Sequence, residues 1–365
     1  MPLHDYQKRE EKAVSEIKKA IPSSLKRDML SVSKGLFCEI YENNEIFPNH
    51  YMASAVDGVG TKLLLAQAMQ KYDTVGIDLV AMSANDLATF GGMSPFLFID
   101  YIAAEKRIEE KAIGNIVSGI VKGLEQCDTS KIFRNSIRIN FGKGETASVD
   151  ELISGISPGY GFDLAGGMLG FVPKGALNFK VRPGQKIISL KSSGLHSNGY
   201  TDARLSLLKG EFEARPKFRK RYRGIFRLDD DFDGRTIGQL MLEPTRIYVK
   251  DMAGISARYR VAGINNTGYG LKNLNRLEGK HEFIIDDPIE PPAIFKLIQK
   301  QSKFSDKEMY SRFNMGMGFF VIAEEEDAES IIKTAKDASI VGKVRKAPAA
   351  RTVLKREKDI VFEGY

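Results

Sequence analysis

Five polar, glycine-associated islands interrupt the otherwise apolar elements of this 365-residue chain. The first is Asp57-Gly58-Val59-Gly60-Thr61-Lys62, set between the apolar run Met52–Val56 and the helix-compatible segment Leu63–Met69. That order reads as strand, tight glycine loop, then helix. Glycines let a backbone come close to a ligand, and a helix start offers unpaired N–H groups to an anion. Asp57 is a hard oxygen donor suited to Mg²⁺, and Lys62 is a point charge suited to phosphate. The spacing is not that of a Walker loop, and a plain strand-to-helix turn would also call for Gly and Asp.

The second island, Asn85-Asp86, lies inside an apolar helical period, where a charge is costly unless paired, ligated or facing a cleft. A surface-facing pair is the alternative. The third, Gly142-Lys143-Gly144-Glu145-Thr146-Ala147, follows a strand-like run and is either ligand-facing or a simple hairpin or cap. The fourth, Ser192 to Tyr200, surrounds His196 with small hydroxyls. Ser and Asn also cap helices, which accounts for the neighbours and leaves His196 unexplained. The fifth, Asn265 to Gly270, is joined later by Tyr310 to Gly318. Together Asp57, Asp86, Glu145, a lysine and many backbone donors suit a Mg²⁺–nucleotide site. Thiol chemistry fits poorly, since neither Cys38 nor Cys127 sits in a redox motif. Gly155-Ile156-Ser157-Pro158-Gly159 matches a nucleophile elbow in letters, but Pro158 has no N–H for an oxyanion hole, so it reads as a turn.

The elements that must position these residues alternate in type. Residues 8–21 repeat apolar positions at helical spacing and stop at Pro22, and 36–41 reads as a strand. A helix is expected over 77–90, a strand over 96–103, a helix over 108–124 and strands over 136–141 and 162–172. Pro173 to Gly184 is the expected junction. Beyond it come a strand (186–190), a helix (201–208), a charged insertion (209–234) and a long helix (236–257). A strand (261–264), a helix ending at Leu277, a strand (281–285), a helix (291–299), a strand (318–323), a helix (328–335) and a last strand (339–344) complete the order. The class is α/β or α+β in two domains, 1–172 and 173–347, with a basic tail over 348–365.

Composition narrows the field. Hydrophobic residues make up 42% and charged residues 28%, which places the chain among globular proteins. No apolar run reaches membrane-spanning length, the N-terminus has no signal core, and two cysteines cannot build a disulfide framework, so a cytoplasmic location is expected. The net charge of +7 is concentrated in Arg215–Arg227 and Lys343–Lys358. A nucleic-acid partner would use the first patch, but Asp229, Asp230, Asp231 and Asp233 come directly after it. A solvated loop that also steers anionic substrates is the reading taken.

Six motifs in one order, SAVDGVGTK, DTVGIDLVAMSANDL, GETA, SSGLHSNGY, EPTRIYVK and MYSRFNMGMG, span residues 54–318. They resemble the phosphoribosylformylglycinamidine cyclo-ligase family, within a superfamily that includes selenophosphate synthetase and thiamine-monophosphate kinase. The resemblance implies a two-domain α/β protein whose N-terminal sheets pair into a barrel across a homodimer, with the active site between domains. It implies ATP-dependent ring closure of formylglycinamidine ribonucleotide to aminoimidazole ribonucleotide, in purine biosynthesis, with ATP and Mg²⁺. Asp57, Asp86 and Glu145 would serve the metal; Lys62 and Asp57 would act with His196 in catalysis. Gly58, Gly60, Thr61, Asn85, Gly144 and Thr146 would flank the nucleotide. Ser193, Ser197, Asn198, Thr267 and Gly268 would hold the substrate, and Lys18 with residues 34–37 would cover the nucleotide. Departures from the family pattern are Lys143 in place of a glycine, Tyr269 in place of another, and the length of 209–234. Other ATP-dependent members of the superfamily are the alternative, and a basic nucleic-acid-binding protein is a remote one.

Overall fold

Two sheets carry the architecture. The computed structural model describes residues 30–31, 39–43, 47–277 and 279–364; the expected helix at 8–21, Lys18, the 34–37 cover and Cys38 lie outside them. Strands β1 (Glu39–Asn43), β2 (His50–Gly58), β3 (Ser94–Ala104), β4 (Asn140–Phe141), β5 (Glu145–Ser148) and β6 (Phe162–Pro173) form the first sheet. Its order is β1-β2-β6-β3-β4, with β5 also paired to β3. The helix Asp73–Leu87 lies across β2, β3 and β6, and the helix Glu110–Glu125 packs against it. Val75, Leu79 and Leu87 from the first of these helices share a core with Phe98, Leu164 and Met168 of the sheet. Each such side chain contributes roughly 1.5–3 kcal/mol on burial. The sheet's other face is open: Val56 of β2 and Ile99 of β3 both sit opposite Gly167 of β6, and both are exposed.

The second sheet begins with β7 (Lys186–Lys191), and β8 (Asp231–Phe232) and β9 (Arg235–Thr236) form a hairpin apart from it. It continues with β10 (Ala262–Asn265), β11 (His281–Ile285), β12 (Met317–Ala323), β13 (Ala338–Lys346), β14 (Arg351–Leu354) and β15 (Ile360–Glu363), in the order β10-β12-β7-β13-β11-β14-β15. Every residue of β12 is buried, as its unbroken apolar run predicts.

Several expectations differ from the structure, among them the strand over 136–141, which is only Asn140–Phe141. The long helix over 236–257 is two, Ile237–Met241 and Val249–Ser256, because Pro244 breaks the backbone ladder between them. The segment before Leu277 is a 3₁₀ stretch, Gly270–Arg276. A helix over Asp306–Arg312 starts from a Ser305/Glu308 capping box not read in the sequence. The segment set apart as a tail supplies β14 and β15, whose Val353, Leu354 and Phe362 are buried. Strand β11 would otherwise present a bare edge there, and β14 pairs with it in parallel.

The two sheets are docked through the helix Asp73–Leu87, the turn after it and the end of the helix Glu110–Glu125. Gly263 N–H donates to Thr89 O at 2.9 Å, Gly92 N–H to Ser256 Oγ at 2.8 Å, and Lys250 Nζ to Glu125 O at 2.8 Å.

Candidate active site

Where the docked halves meet, they enclose a cleft of about 970 Å³. One wall comes from the first island. Strand β2 ends at Gly58, Gly60 turns with φ of +69°, and a 3₁₀ turn over Gly60–Lys62 leads into the next helix. The left-handed φ is why glycine stands there. Asp57, Gly58, Gly60 and Thr61 line the cleft, with Asp57 Oδ1 accepting the Gly58 N–H at 2.7 Å. Thr61 Oγ1 lies 3.3 Å from Thr201 Oγ1 on the opposite wall.

Asp86, near the end of the helix Asp73–Leu87, reaches the same cleft and accepts a bond from Asn265 Nδ2 at 2.8 Å. Burial raises its pKa to about 7; Asn265 opposes the shift and the Asp57 charge adds to it. A carboxyl held that far above 3.8 is poised for a cation. Asp163 of β6 also lines the cleft. Among the described residues, no three His, Cys, Asp or Glu side chains are grouped closely enough to hold a metal by themselves. Mg²⁺ needs only one or two carboxylates when phosphates and water complete its shell, so Asp57 and Asp86 fit a metal that arrives with a nucleotide.

The opposite wall is hydroxyl- and arginine-rich. Ser197, Asn198, Thr267 and Gly268 line it, as do Arg204, Arg276 and Arg312. Ser197 Oγ is 3.2 Å from Thr245 Oγ1, and Arg312 donates to Asp202 Oδ2 at 2.6 Å. Burial lowers the pKa of Arg276 to about 10, with Asp86 opposing.

Several expected site residues lie elsewhere. Lys62 is fully buried and does not line the cleft. Its Nζ contacts Asp78 Oδ1 at 2.9 Å and Oδ2 at 2.8 Å, and donates to the carbonyls of His196 (3.0 Å) and Glu243 (2.6 Å). Asp78 Oδ1 in turn accepts from Thr245 N–H at 2.7 Å and Oγ1 at 2.6 Å. The lysine ties the two halves together instead of pointing at phosphate. His196 is buried beneath its loop with φ of +59°, its Nε2 3.5 Å from Tyr248 Oη. Burial first, then Lys62 and Arg246, push its pKa down to about 3, so the imidazole is neutral and shielded from the cleft.

Asn85 is also structural: its Nδ2 donates to Arg246 O at 2.8 Å and its Oδ1 accepts Tyr248 N–H at 2.8 Å. Ser193 Oγ donates to Pro244 O at 2.6 Å and is not part of the cleft lining. Glu145 and Thr146, on β5, pair with Tyr101 and Ile102 of β3, and Gly144 packs on the Asp100 carboxylate. From β2 through β6 and β3 to β5 is three strand spacings, about 14 Å, so Glu145 is not grouped with Asp57 within one chain.

Sequence reasoning missed Asp163, Arg204 and Arg276, each a lone charge with no glycine beside it to mark a loop, and it gave Arg312 no role although the residue falls inside the Tyr310–Gly318 stretch. It also missed the insertion 209–234, from which Arg215, Phe218 and Arg221 line the cleft. The turn at Gly155–Gly159 is a turn indeed, with Glu105 accepting the N–H groups of Gly155, Gly159 and Gly161. Cys127 is buried and its thiol is pushed up to about 12.

Comparison with known proteins places this geometry in a family. Residues 41–172 match the AIR synthase related protein N-terminal domain, and residues 182–355 match the corresponding C-terminal domain. A phosphoribosylformylglycinamidine cyclo-ligase of Methanosarcina acetivorans is 38% identical over 320 residues, covering 87% of this chain and 85% of that protein. One from Fusobacterium nucleatum is 36% identical over 332 residues, covering 88% of each. Among solved structures, AaThiL complexed with AMPPCP and TMP has a TM-score of 0.53 at 14% identity, covering 94% of this chain and 92% of that one. Hydrogenase maturation protein HypE in complex with ATP has a TM-score of 0.53 at 12% identity, covering 86% and 83%. At such identities these two share the fold. With two domains matched in order and relatives above one-third identity along most of its length, this chain belongs to the phosphoribosylformylglycinamidine cyclo-ligase family, a family of ligases.

Proposed function

We propose that this chain closes the imidazole ring of formylglycinamidine ribonucleotide, using ATP and releasing aminoimidazole ribonucleotide, ADP and phosphate. The observation that carries the reading is the composition of the cleft. Asp57, Asp86 and Thr61 form an acid-bearing wall that faces hydroxyls, Asn198 and arginines across one cavity. The first wall suits a metal-bridged triphosphate, and the second suits a phosphorylated, hydroxylated substrate.

An amide oxygen leaves poorly, so direct attack on its carbon stalls. In the proposed course, that oxygen takes the γ-phosphoryl of ATP and ADP departs. The tethered amine then bonds to the imidate carbon, the C–O bond breaks with loss of phosphate, and the nitrogen gives up its proton. Holding both groups of one molecule in line supplies up to roughly 7–11 kcal/mol of barrier lowering. Asp57 and Asp86 would hold a Mg²⁺ ion that arrives with the nucleotide, and such an ion would supply charge neutralisation at the phosphates. Asp86 must be ionised for this, Thr61 and the backbone of 58–61 orient the nucleotide, and Ser197, Asn198 and Thr267 orient the ribonucleotide. Lys62 and His196 act as the buried frame of the loops that carry those groups.

A homodimer belongs to this reading. The face of the first sheet away from its helices exposes Val56, Ile99 and Tyr101, at 77%, 42% and 42%. A second copy laid on that face covers apolar surface otherwise left in water.

The test incubates the protein with MgATP and formylglycinamidine ribonucleotide and follows aminoimidazole ribonucleotide and ADP in equal amounts. Absence of product, or ADP formation with thiamine monophosphate or selenide as acceptor instead, overturns the assignment.

A further inference from the structure

The insertion 209–234 is built into the molecule more firmly than a solvated charged loop. Glu213 is fully buried and clamps Arg215 in a bidentate pair, Nε to Oε1 at 2.7 Å and Nη2 to Oε2 at 2.9 Å. Arg215 Nη1 reaches Ser154 O and Oγ at 3.3 Å, and Ala214 N–H donates to Ile156 O at 2.9 Å. Both of those partners belong to the first half, so the insertion straps across the mouth between the halves. Tyr222 is buried, stacks edge-on with Phe212 at 5.5 Å between centroids, and accepts a hydrogen bond from Arg204.

This anchoring has one product that the fold itself does not need. Between the Arg215 clamp and Tyr222, the strap sets Arg221 on the cleft wall, exposed, with no hydrogen-bond or ion-pair partner for its side chain among the described residues. Beside it Phe218 stacks on the Arg215 guanidinium at 4.4 Å, with 40% of its surface open to the cleft side and solvent. Arg204, only 6% exposed, lines the same cleft and keeps its Nε buried without a partner, and Arg312 does likewise. Arginine is the side chain whose planar fork matches phosphate. Arg312 is paired with Asp202 at 2.6 Å and Glu308 at 3.7 Å, Arg227 with Glu211 at 3.3 Å and Asp229 at 3.2 Å, and Arg215 with Glu213, so the arginines differ and Arg221 stands apart from these paired ones.

We propose that the insertion completes a phosphate-monoester subsite in the cleft, in which Arg221 grips the phosphate of the ribonucleotide substrate, with Arg204 and Arg312 lining the same cleft and adding positive charge. Resting on the function proposed above, it adds which residues recognise the substrate's phosphate and gives the insertion a role in substrate affinity. The triphosphate, reached through the metal that Asp57 and Asp86 would hold, belongs to the opposite wall and does not use this subsite.

Ribose 5-phosphate and ribose serve as probes in titration calorimetry, alongside steady-state kinetics on the full chain. Wild-type protein binds ribose 5-phosphate and not ribose. Arg221→Ala weakens that binding about ten- to hundredfold, the loss expected for a charge-assisted contact. It raises KM for formylglycinamidine ribonucleotide by the same factor with KM for ATP unmoved, and Arg221→Lys recovers part of the affinity. Circular dichroism and melting of Arg221→Ala match wild type, because the side chain makes no internal hydrogen bond or ion pair among the described residues. Unchanged ribonucleotide KM and ribose 5-phosphate affinity in Arg221→Ala overturn the subsite while leaving the activity standing. A rise in KM for ATP alone also overturns it, by assigning Arg221 to the nucleotide. Arg221-dependent binding of ribose 5-phosphate by a protein that fails to close the ring would uphold the subsite and reject the activity.

Discussion

With its own side chain and that of Asp78 both shut away from water, Lys62 cannot lose its partner cheaply. Lys62→Met leaves a buried carboxylate uncompensated and is expected to cost about 3–5 kcal/mol, read as a lowered urea midpoint. Adding Asp78→Asn to it should recover most of that loss; if the single variant unfolds like wild type, the tie is not structural. Asp86 gives the pH dependence. Its folded-state pKa of about 7 lies above the ordinary 3.8, so the folded state holds its proton longer. The stability this confers is complete below 3.8 and is lost as pH rises through about 7. Ligand-free protein should therefore lose melting temperature across that window, and Asp86→Asn should flatten this part of the profile. A profile identical in the two proteins would remove Asp86 as its source. At this scale Asp57 and Asp86 were legible because each is an acid set in an apolar or glycine context. Lys62 and His196 were legible as unusual but not as buried. Letters report residue type, whereas the partners that enclose these side chains, here Asp78 and Tyr248, are set by the fold.

Among elements, the long apolar periods read well: the helix Asp73–Leu87 and strands β6 and β12 are where their patterns put them, within a few residues. Short or masked signals failed. Pro244 sits inside an otherwise helical period, and the loop it creates turns the carbonyls of Glu243 and Pro244 toward Lys62 and Ser193. Lysines and arginines around Arg351–Leu354 and Ile360–Glu363 hid two short alternating runs that become β14 and β15. Because those strands bury Val353, Leu354 and Phe362, ending the chain after Ala349 uncovers β11 and core surface. Such a truncation is expected to yield aggregated protein without a cooperative melt, measured by soluble yield and calorimetry. A soluble truncation melting near wild type would return those residues to the status of a tail.

At the level of the molecule, family membership and the two-domain plan were readable from the order of six motifs, and so was much of the cleft lining, whereas the walls' dependence on the insertion was not. They depend on how the insertion folds back onto Ser154 and Ile156, a contact with no local sequence signal. The open face of the first sheet makes its own prediction. Val56, Gly167 and Ile99 lie in one row across β2, β6 and β3, so a charge at Ile99 falls in the middle of any sheet-to-sheet contact. Ile99→Asp should convert dimer to monomer in sedimentation at micromolar protein, whereas a wild-type monomer would discard that assembly.

The buried lysine bridge also bears on how the enzyme breathes. Lys62 and Asp78 come from one half, while the Glu243 carbonyl and Thr245 that complete their bonding come from the other. Swinging the halves apart would strip a cation and an anion of their shared cage in one motion. The jaw is thus pinned at its root, and admission and release of small molecules fall to side chains and straps at the rim. Turnover in such an enzyme is expected to need rearrangement at the rim and no separation of the halves.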